Sequence, residues 1–412
     1  MSAEQNPPID TNVNSGRGPI LTRHLLHHEG PIFEIGARDR SGASLPPLDV
    51  PPVSASQLFG SLARVDSPGL PEVSEVDVTR HFTRLSRWNH AIDIGMYPLG
   101  SCTMKYNPKV NERVARFAGF AGLHPAQTAD TVQGALELMY LLEQSLCEIS
   151  GFARVTLQPA AGAHGELCGL MMIRAYHHSR GRSPKKVLIP DSAHGTNPAS
   201  AALNQFETVS LKTGGDGLLS VDAVKAAVEK HPGDIAGLMV TNPSTLGLFE
   251  EQIAEIAKVV HDAGGLVYMD GANFNALLGK VRPGDCGIDV MHINLHKTFT
   301  TPHGGGGPGC GPVGVVAALV PFLPSPTVEK IGDRYELNYN LPQSVGRLRG
   351  FVGNFGMMVR AYTYIREMGG AGLTQATEMA VLNANYLRAR LASVYPLASE
   401  KPSMHEVIFS DK

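Results

Sequence analysis

Lys297 lies in the run Asp289-Val290-Met291-His292-Ile293-Asn294-Leu295-His296-Lys297-Thr298-Phe299. Twenty-seven residues upstream, the apolar stretch Gly265-Leu266-Val267-Tyr268-Met269 ends in Asp270. An ammonium flanked by Val290, Ile293, Leu295 and Phe299 loses solvation, releases its proton more readily and becomes a usable nucleophile. A carboxylate closing an apolar strand stands at the mouth of a sheet. Together they match what pyridoxal phosphate chemistry requires. One amine condenses with the cofactor aldehyde, and one acid pairs with the pyridinium nitrogen, so that the ring can draw electrons from a substrate's alpha carbon. Either residue alone is ordinary: most lysines lie on surfaces, and Asp-Gly is a common turn. The pairing carries the reading.

Further polar and small residues fall at places that such a site would use. Ala160-Ala161-Gly162-Ala163-His164-Gly165-Glu166 follows a strand-like run and opens a helix. Small residues there let backbone N–H groups approach an anion, and the helix N-terminus favours negative charge, so Gly162 and Ala163 are candidates for the cofactor phosphate. His164 is placed to stack on the ring, although a lone histidine is more often structural. Ala272 is small enough to lie against the ring face. Asn242 could donate to the ring's phenolic oxygen, and Thr196, in Asp191-Ser192-Ala193-His194-Gly195-Thr196-Asn197-Pro198, supplies another polar group. His296 either faces the ring or is a polar neighbour of Lys297.

Three competing motifs fail. The loop after Lys297 matches G-x-G-x-x-G from Gly304 to Gly309, but Pro308 and Pro312 would interrupt the helix that a dinucleotide site needs. A glycine loop in this place can instead approach substrate closely or move as a lid. His292 and His296 are four apart, yet Ile293 and Asn294 replace the Glu-x of a metalloprotease motif, so no metal is expected. No P-loop pattern occurs.

Elements that would position these residues alternate along the chain. A helix is expected from near Thr128, with Val132, Leu136, Met139, Leu142, Leu146 and Ile149 on one face and Gly151 as its stop. Strand-like runs follow at 155–157, 187–189, 208–211, 235–240 and 266–269. Helical periods lie between them, most clearly at 250–263 and at 220–230, where Ser220 serves as cap. Strands alternating with helices imply an α/β fold whose mostly parallel sheet is covered by helices, with the active site beyond the strands' carboxyl ends. The chain divides in this reading into an extended arm (1–70), a large cofactor-binding α/β domain with an entrance segment (71–345), and the start of a small, incomplete C-terminal α+β domain (346–412). In the last part, helices at 357–367 and 373–392 flank a break at Gly369-Gly370-Ala371-Gly372, and 404–409 reads as a strand.

The whole chain narrows the function classes. With 412 residues and 43% hydrophobic content, it can bury a large core. A net charge of −3 offers no electrostatic ground for nucleic acid or an anionic membrane. No apolar run is long enough to span a bilayer, and the start lacks a secretory pattern. Five scattered cysteines without C-x-x-C spacing indicate neither a disulfide framework nor zinc, so a reducing, cytoplasmic home is expected.

Longer runs go further. Leu70-Pro71-Glu72-Val73-Ser74-Glu75, Arg80-His81-Phe82-Thr83-Arg84-Leu85-Ser86-Arg87, Tyr97-Pro98-Leu99-Gly100-Ser101-Cys102-Thr103-Met104-Lys105-Tyr106-Asn107-Pro108, Thr241-Asn242-Pro243-Ser244-Thr245-Leu246-Gly247 and the Lys297 block resemble the catalytic-subunit family of two-subunit glycine dehydrogenases (decarboxylating), the P-proteins of the glycine cleavage system. The resemblance implies a type I pyridoxal phosphate-dependent transferase fold with Lys297 and Asp270 at the cofactor and His164 stacked on it. It places Ser101 and Cys102 near substrate; His296 and His303 are further substrate-side candidates from the Lys297 block. It implies glycine as substrate, a sister subunit in an α2β2 assembly and a lipoylated H-protein as second substrate. Two other readings stand beside it: another type I decarboxylase or aldolase of a small amino acid, and a noncatalytic assembly subunit.

Overall fold

A computed structural model describes residues 29–66, 68–89, 91, 93–95, 106–302 and 309–410. The chain forms two compact units, residues 1–97 and 98–412.

In the first unit, helices α1 (Ala55–Phe59) and α2 (Glu75–Ser86) are joined by a 3-10 turn (Gly60–Leu62) and irregular backbone. Ser74 caps α2: its hydroxyl accepts from the Asp77 N–H at 3.1 Å, and the Asp77 carboxylate reaches back to the Ser74 N–H. Glu29 pairs with both His81 and Arg84 of α2. Leu45, Leu48, Val50 and Val53 are exposed along this unit.

The second unit begins its described part with α3 (Lys109–Ala115), α4 (Ala118–Ala121) and α5 (Gln133–Ser150). The helix expected from Thr128 starts later: Ala129–Thr131 form a 3-10 turn, and the α-helix runs from Gln133. Its buried stripe is the expected one, Leu136, Met139, Leu142 and Leu146. Gly151 ends it at φ 81°, a left-handed conformation that glycine adopts without strain.

Seven strands then build one sheet: β1 (Arg154–Thr156), β2 (Lys186–Pro190), β3 (Glu207–Leu211), β4 (Ile235–Thr241), β5 (Leu266–Gly271), β6 (Val290–Ile293) and β7 (Val313–Val315). Their order is β1-β7-β6-β5-β4-β2-β3. β3, β2, β4, β5 and β6 are parallel, and β7 runs antiparallel between β6 and β1. Helices α6 (Gly162–Ser179), α7 (Thr196–Leu203), α8 (Val221–Lys230) and α9 (Ile253–Asp262) are the crossovers, as the alternation of periods predicts.

Side-chain alternation along the strands feeds two cores on opposite faces. Leu238, Val240, Val267, Met269, Met291 and Ile293 join one of them, with α5, α8 and α9. Ala236, Met239, Tyr268 and Val290 join the other, with α6. β4 and β5 are buried along nearly their whole length, which explains their unbroken apolar character.

Strands β6 and β7 lie outside the expected strand runs, and two further features differ from expectation. A hairpin, β8 (Thr327–Ile331) with β9 (Arg334–Asn338), turns through Gly332 at φ 61°. Its Gly-Asp turn is a hairpin signal that the alternating pattern upstream overshadowed. Residues 404–409 form no strand; a single bridge joins Leu397 to Phe409, too little pairing to hold a ladder. The last helix, α11 (Phe355–Leu391), follows α10 (Leu295–Thr298), a single turn. It leaves helical geometry at Gly369 (φ 60°), where the sequence predicts a break.

Candidate active site

The parallel strands end together, and their carboxyl ends surround a cavity of about 210 Å³ within the second unit. β5 contributes Asp270. Two residues earlier is Tyr268, so both project to the α6 face. β6 lies beside β5 with His292 directly opposite Asp270 in the register. After β6 the chain turns once, through α10, and this turn presents Lys297 into the same cavity while Leu295 and Thr298 are buried beneath it. The Thr298 hydroxyl accepts from the Phe274 N–H at 2.9 Å, which ties the turn bearing Lys297 to the loop after Asp270. Three residues on, Thr300 holds φ 55°, unusual for a β-branched residue. Its hydroxyl accepts from Asn111 of α3 at 3.2 Å.

Asp270 is 5% exposed and fully engaged. Oδ1 accepts from the Ala272 N–H at 2.9 Å, and Oδ2 accepts from Asn197 at 3.2 Å. Burial works against its charge, but His292, the Ala272 N–H, Asn197 and Lys297 outweigh it and hold the carboxyl below its ordinary range. Asp270 is therefore an anion at neutral pH in an almost dry site. Glu166 of α6 is also buried; its two oxygens accept from the hydroxyls of Thr196 (2.7 Å) and Ser200 (3.1 Å). Glu166, Asp270 and His292 have polar atoms within 4.8 Å of one another. Each carboxylate already has its own donors, so the cluster is a hydrogen-bonded polar floor.

The walls are prepared for a polar guest. Thr241 Oγ1, His292 Nε2 and Asn294 Oδ1 are buried, line the cavity and lack hydrogen-bond partners. Buried polar atoms without partners are rare in folded proteins and mark places where a ligand completes the pairing. Gly162, at the first position of α6, brings backbone to the cavity edge; a Cβ there would come within 2.9 Å of Asn294 Nδ2. The free N–H groups of that helix terminus suit a phosphate. An anion cradle, a carboxylate that stays ionised and an amine in one pocket fit pyridoxal phosphate end to end.

No family model matches the chain. Individual relatives do. The chain is 58% identical over 383 residues to a probable glycine dehydrogenase (decarboxylating) subunit 2 of Bacillus cereus (strain ATCC 10987 / NRS 248), covering 92% of this chain and 77% of the relative. It belongs to the glycine dehydrogenase (decarboxylating) subunit 2 family. The Bacillus thuringiensis (strain Al Hakam) relative is 57% identical over the same shares. Among solved structures, glycine decarboxylase (P-protein) of the glycine cleavage system, in inhibitor-bound form, superposes with a TM-score of 0.69 at 19% identity, over 87% of this chain and 86% of that one. TDC of Oryza sativa with PLP and tryptamine gives 0.62 at 16% identity, over 87% and 77%. The architecture is that of type I PLP-dependent enzymes.

Of the residues singled out in the sequence, the subunit 2 fold brings Lys297, Asp270, Ala272, Gly162, Ala163 and Thr196 to the lining of one cavity. Others stand just behind it. His164 is half-buried, with Nδ1 accepting from the Ala160 N–H at 3.2 Å; burial, then Arg349, lowers its pKa. Asn242 Oδ1 accepts from the Glu250 N–H at 3.0 Å, and His296 Nδ1 accepts from the Cys310 N–H at 3.3 Å. Ser101, Cys102 and His303 lie outside the described residues. Glu166, Tyr268, Asn294 and His405 also belong to the site without a sequence motif that marks them, and His292, which fits no zinc motif, belongs to it as well. Strand alternation could have found Tyr268, which shares Asp270's parity. His405 had no local signal: it reaches the cavity because the Met404 N–H bonds the Gly247 carbonyl at 2.7 Å.

Glu250, behind Asn242, makes a testable pH signature. Burial lifts its carboxyl to about 7, against the Leu219 N–H that it accepts. The folded chain thus keeps a proton that the unfolded chain releases near its ordinary 4.5, and stability falls as pH rises from there to about 7. Glu250→Gln is expected to remove this slope, so its melting-temperature advantage over the wild type grows between those pH values and is constant above. A constant difference across pH 4.5–7.5 contradicts the assignment.

Proposed function

We propose that this chain is the pyridoxal phosphate-carrying, catalytic subunit of a glycine dehydrogenase (decarboxylating). Overall, glycine loses CO2, its aminomethyl group joins one sulfur of the oxidised lipoyl arm of H-protein, and the second sulfur becomes a thiol. The electron pair of the broken C–C bond reduces the disulfide, so atoms and electrons balance. The observation that carries this reading is the meeting of Lys297 and ionised Asp270 in one cavity of a chain 58% identical to a subunit 2 relative.

When bound, pyridoxal phosphate supplies a conjugated, electron-withdrawing ring that takes up the pair released at the alpha carbon. The chain's residues do the rest. Lys297 would hold the cofactor covalently through its side-chain amine, beside the place where the glycine amine binds. Asp270 holds a proton at the pyridine nitrogen. The N–H groups at the start of α6, with Asn294, grip the phosphate, and Ala272 leaves room for the ring. His164, behind the cavity wall, would have to turn from the Ala160 N–H to close the ring's other face. The buried Asp270 and His292 side chains strengthen the electrostatic contacts at the cavity floor. Ser101, Cys102, His296 and His303 are proposed at the substrate side.

Two partners follow. The subunit 2 designation of the relatives supports a sister subunit, in an α2β2 assembly. The exposed apolar side chains at 45–53 suit an arm that lies on it. The lipoylated H-protein is the second substrate. Glycine–bicarbonate exchange tests the function: it is expected to require both the sister subunit and lipoylated H-protein. Exchange that proceeds equally without H-protein would instead mark a general amino-acid decarboxylase, and absence of a bound visible chromophore would mark an assembly subunit.

Gly162→Ala is expected to weaken pyridoxal phosphate binding about tenfold or more, because the added methyl pushes on Asn294 and His292. Equilibrium titration of the cofactor absorbance checks this; an unchanged dissociation constant contradicts the cradle.

A further inference from the structure

Behind Asp270 runs a buried chain of three polar side chains. The Tyr268 hydroxyl lies 2.5 Å from His292 Nδ1, and His292 Nε2 lies 3.4 Å from Asp270 Oδ1. All three are almost inaccessible: Tyr268 and His292 are 0% exposed, Asp270 5%. Burial raises Tyr268 well above the ordinary phenol range, so it keeps its proton. A neutral phenol has one proton to give, and the hydrogen-bond partner described for it is His292 Nδ1. If the imidazole instead gave its Nδ1 proton to the phenol oxygen, the phenol proton would be left buried without an acceptor, which is costly. The pairing therefore selects the tautomer with Nδ1 as acceptor and the proton on Nε2, the nitrogen facing Asp270.

The sequence is shaped to admit this chain. Gly165 and Gly169 lie one turn apart on the α6 face that covers these strands. A Cβ on Gly165 would sit 2.8 Å from His292 Cβ, and one on Gly169 would sit 2.5 Å from the Tyr268 ring. Both positions lack the space for any side chain. The Tyr268 and His292 rings stack at 25° with centroids 6.1 Å apart, fixed by that helix.

We propose that Tyr268 and His292 are positioning residues: the Tyr268 phenol sets the His292 tautomer, whose Nε2–H faces Asp270 and keeps that carboxylate anionic, so that the pyridine nitrogen of the bound cofactor stays protonated. The role rests on the cofactor reading above and deepens it. Nε2 is not aligned as a hydrogen bond and is unsatisfied, so the His292 N–H acts on Asp270 as a nearby dipole. Glu166, also close, has both oxygens occupied by its Thr196 and Ser200 hydroxyl donors.

The test uses the full chain with its sister subunit, loaded with pyridoxal phosphate labelled with 15N at the ring nitrogen. The 15N chemical shift reports the proton on that atom without reference to turnover. The wild type is expected at the protonated shift. Tyr268→Phe, which removes only the hydroxyl, is expected to move the shift toward the unprotonated value and to raise the cofactor's dissociation constant about tenfold. His292→Asn, which leaves no donor beside Asp270, should move it further, and His292→Gln, whose amide can place an N–H near the Nε2 position, should recover most of the wild-type shift. A merely structural role lowers the melting temperature and leaves the shift in place, and that result in either Tyr268→Phe or His292→Asn overturns the proposal. If one variant does not fold, the other decides. Borohydride reduction of the wild type separates the two levels: no pyridoxyl group on Lys297 overturns the cofactor reading itself, whereas a trapped group with unmoved 15N shifts overturns only the relay.

Discussion

Lys297→Ala is expected to lower glycine–bicarbonate exchange by at least about a thousandfold, the scale on which removing a group that reacts covalently acts. The same variant should lose the visible absorbance band that a lysine-bound cofactor gives. The substitution sits on α10, whose buried contacts come from Leu295, His296 and Thr298, so the fold is expected to persist and the melting temperature of the apo chain to change little. Lys297 itself is only partly buried, and its removal opens no apolar cavity. Near-normal exchange in a folded Lys297→Ala chain would end the catalytic assignment.

Asp270→Ala is expected to act at two separable levels. Its carboxylate is the ionised acceptor for the Ala272 N–H and Asn197, and it faces His292. Removing one partner of a buried charge cluster leaves the others unpaired, and cofactor affinity should fall by roughly two orders of magnitude. Saturating pyridoxal phosphate then refills the site. If Asp270 only helped binding, exchange would return at saturation. The account predicts that exchange stays slow, because no group remains to hold the ring-nitrogen proton. Recovery to near the wild-type rate at saturating cofactor contradicts the electron-withdrawing role.

The parts of this site that the sequence made legible share one property: local context determined them. Asp270 ends an unbroken apolar run, and β5 proves buried throughout, so the carboxylate had to emerge at the strand end. Lys297 follows an apolar run, which marked it as a desolvated amine, although that this run is strand β6 ending at the same rim emerges only in the fold. Gly162 and Ala163 open a helix after a strand, a local phosphate signal. That the sheet is mostly parallel was implied by helical periods between strands, whereas the order of the strands and the place of β6 were not. What stayed hidden depends on register and on distant pairing. Nothing near residue 292 says that it will face Asp270; that follows from β5 and β6 aligning Asp270 with His292. Glu166 joins the floor because α6 crosses the same face, and His405 arrives across some 160 residues of chain from the Gly247 loop that holds its backbone. Tyr268 looked like one more apolar strand residue, although the Gly165 and Gly169 spacing on α6 was a readable hint that something large packs there.

The most direct measurement of the central claim is chemical trapping. The purified chain, loaded with pyridoxal phosphate and reduced with borohydride, is digested and its peptides are mapped by mass. The account predicts one pyridoxyl-modified peptide, with the label on Lys297. A label on a different side chain, or no label on a chain that carries the cofactor's absorbance, would contradict it.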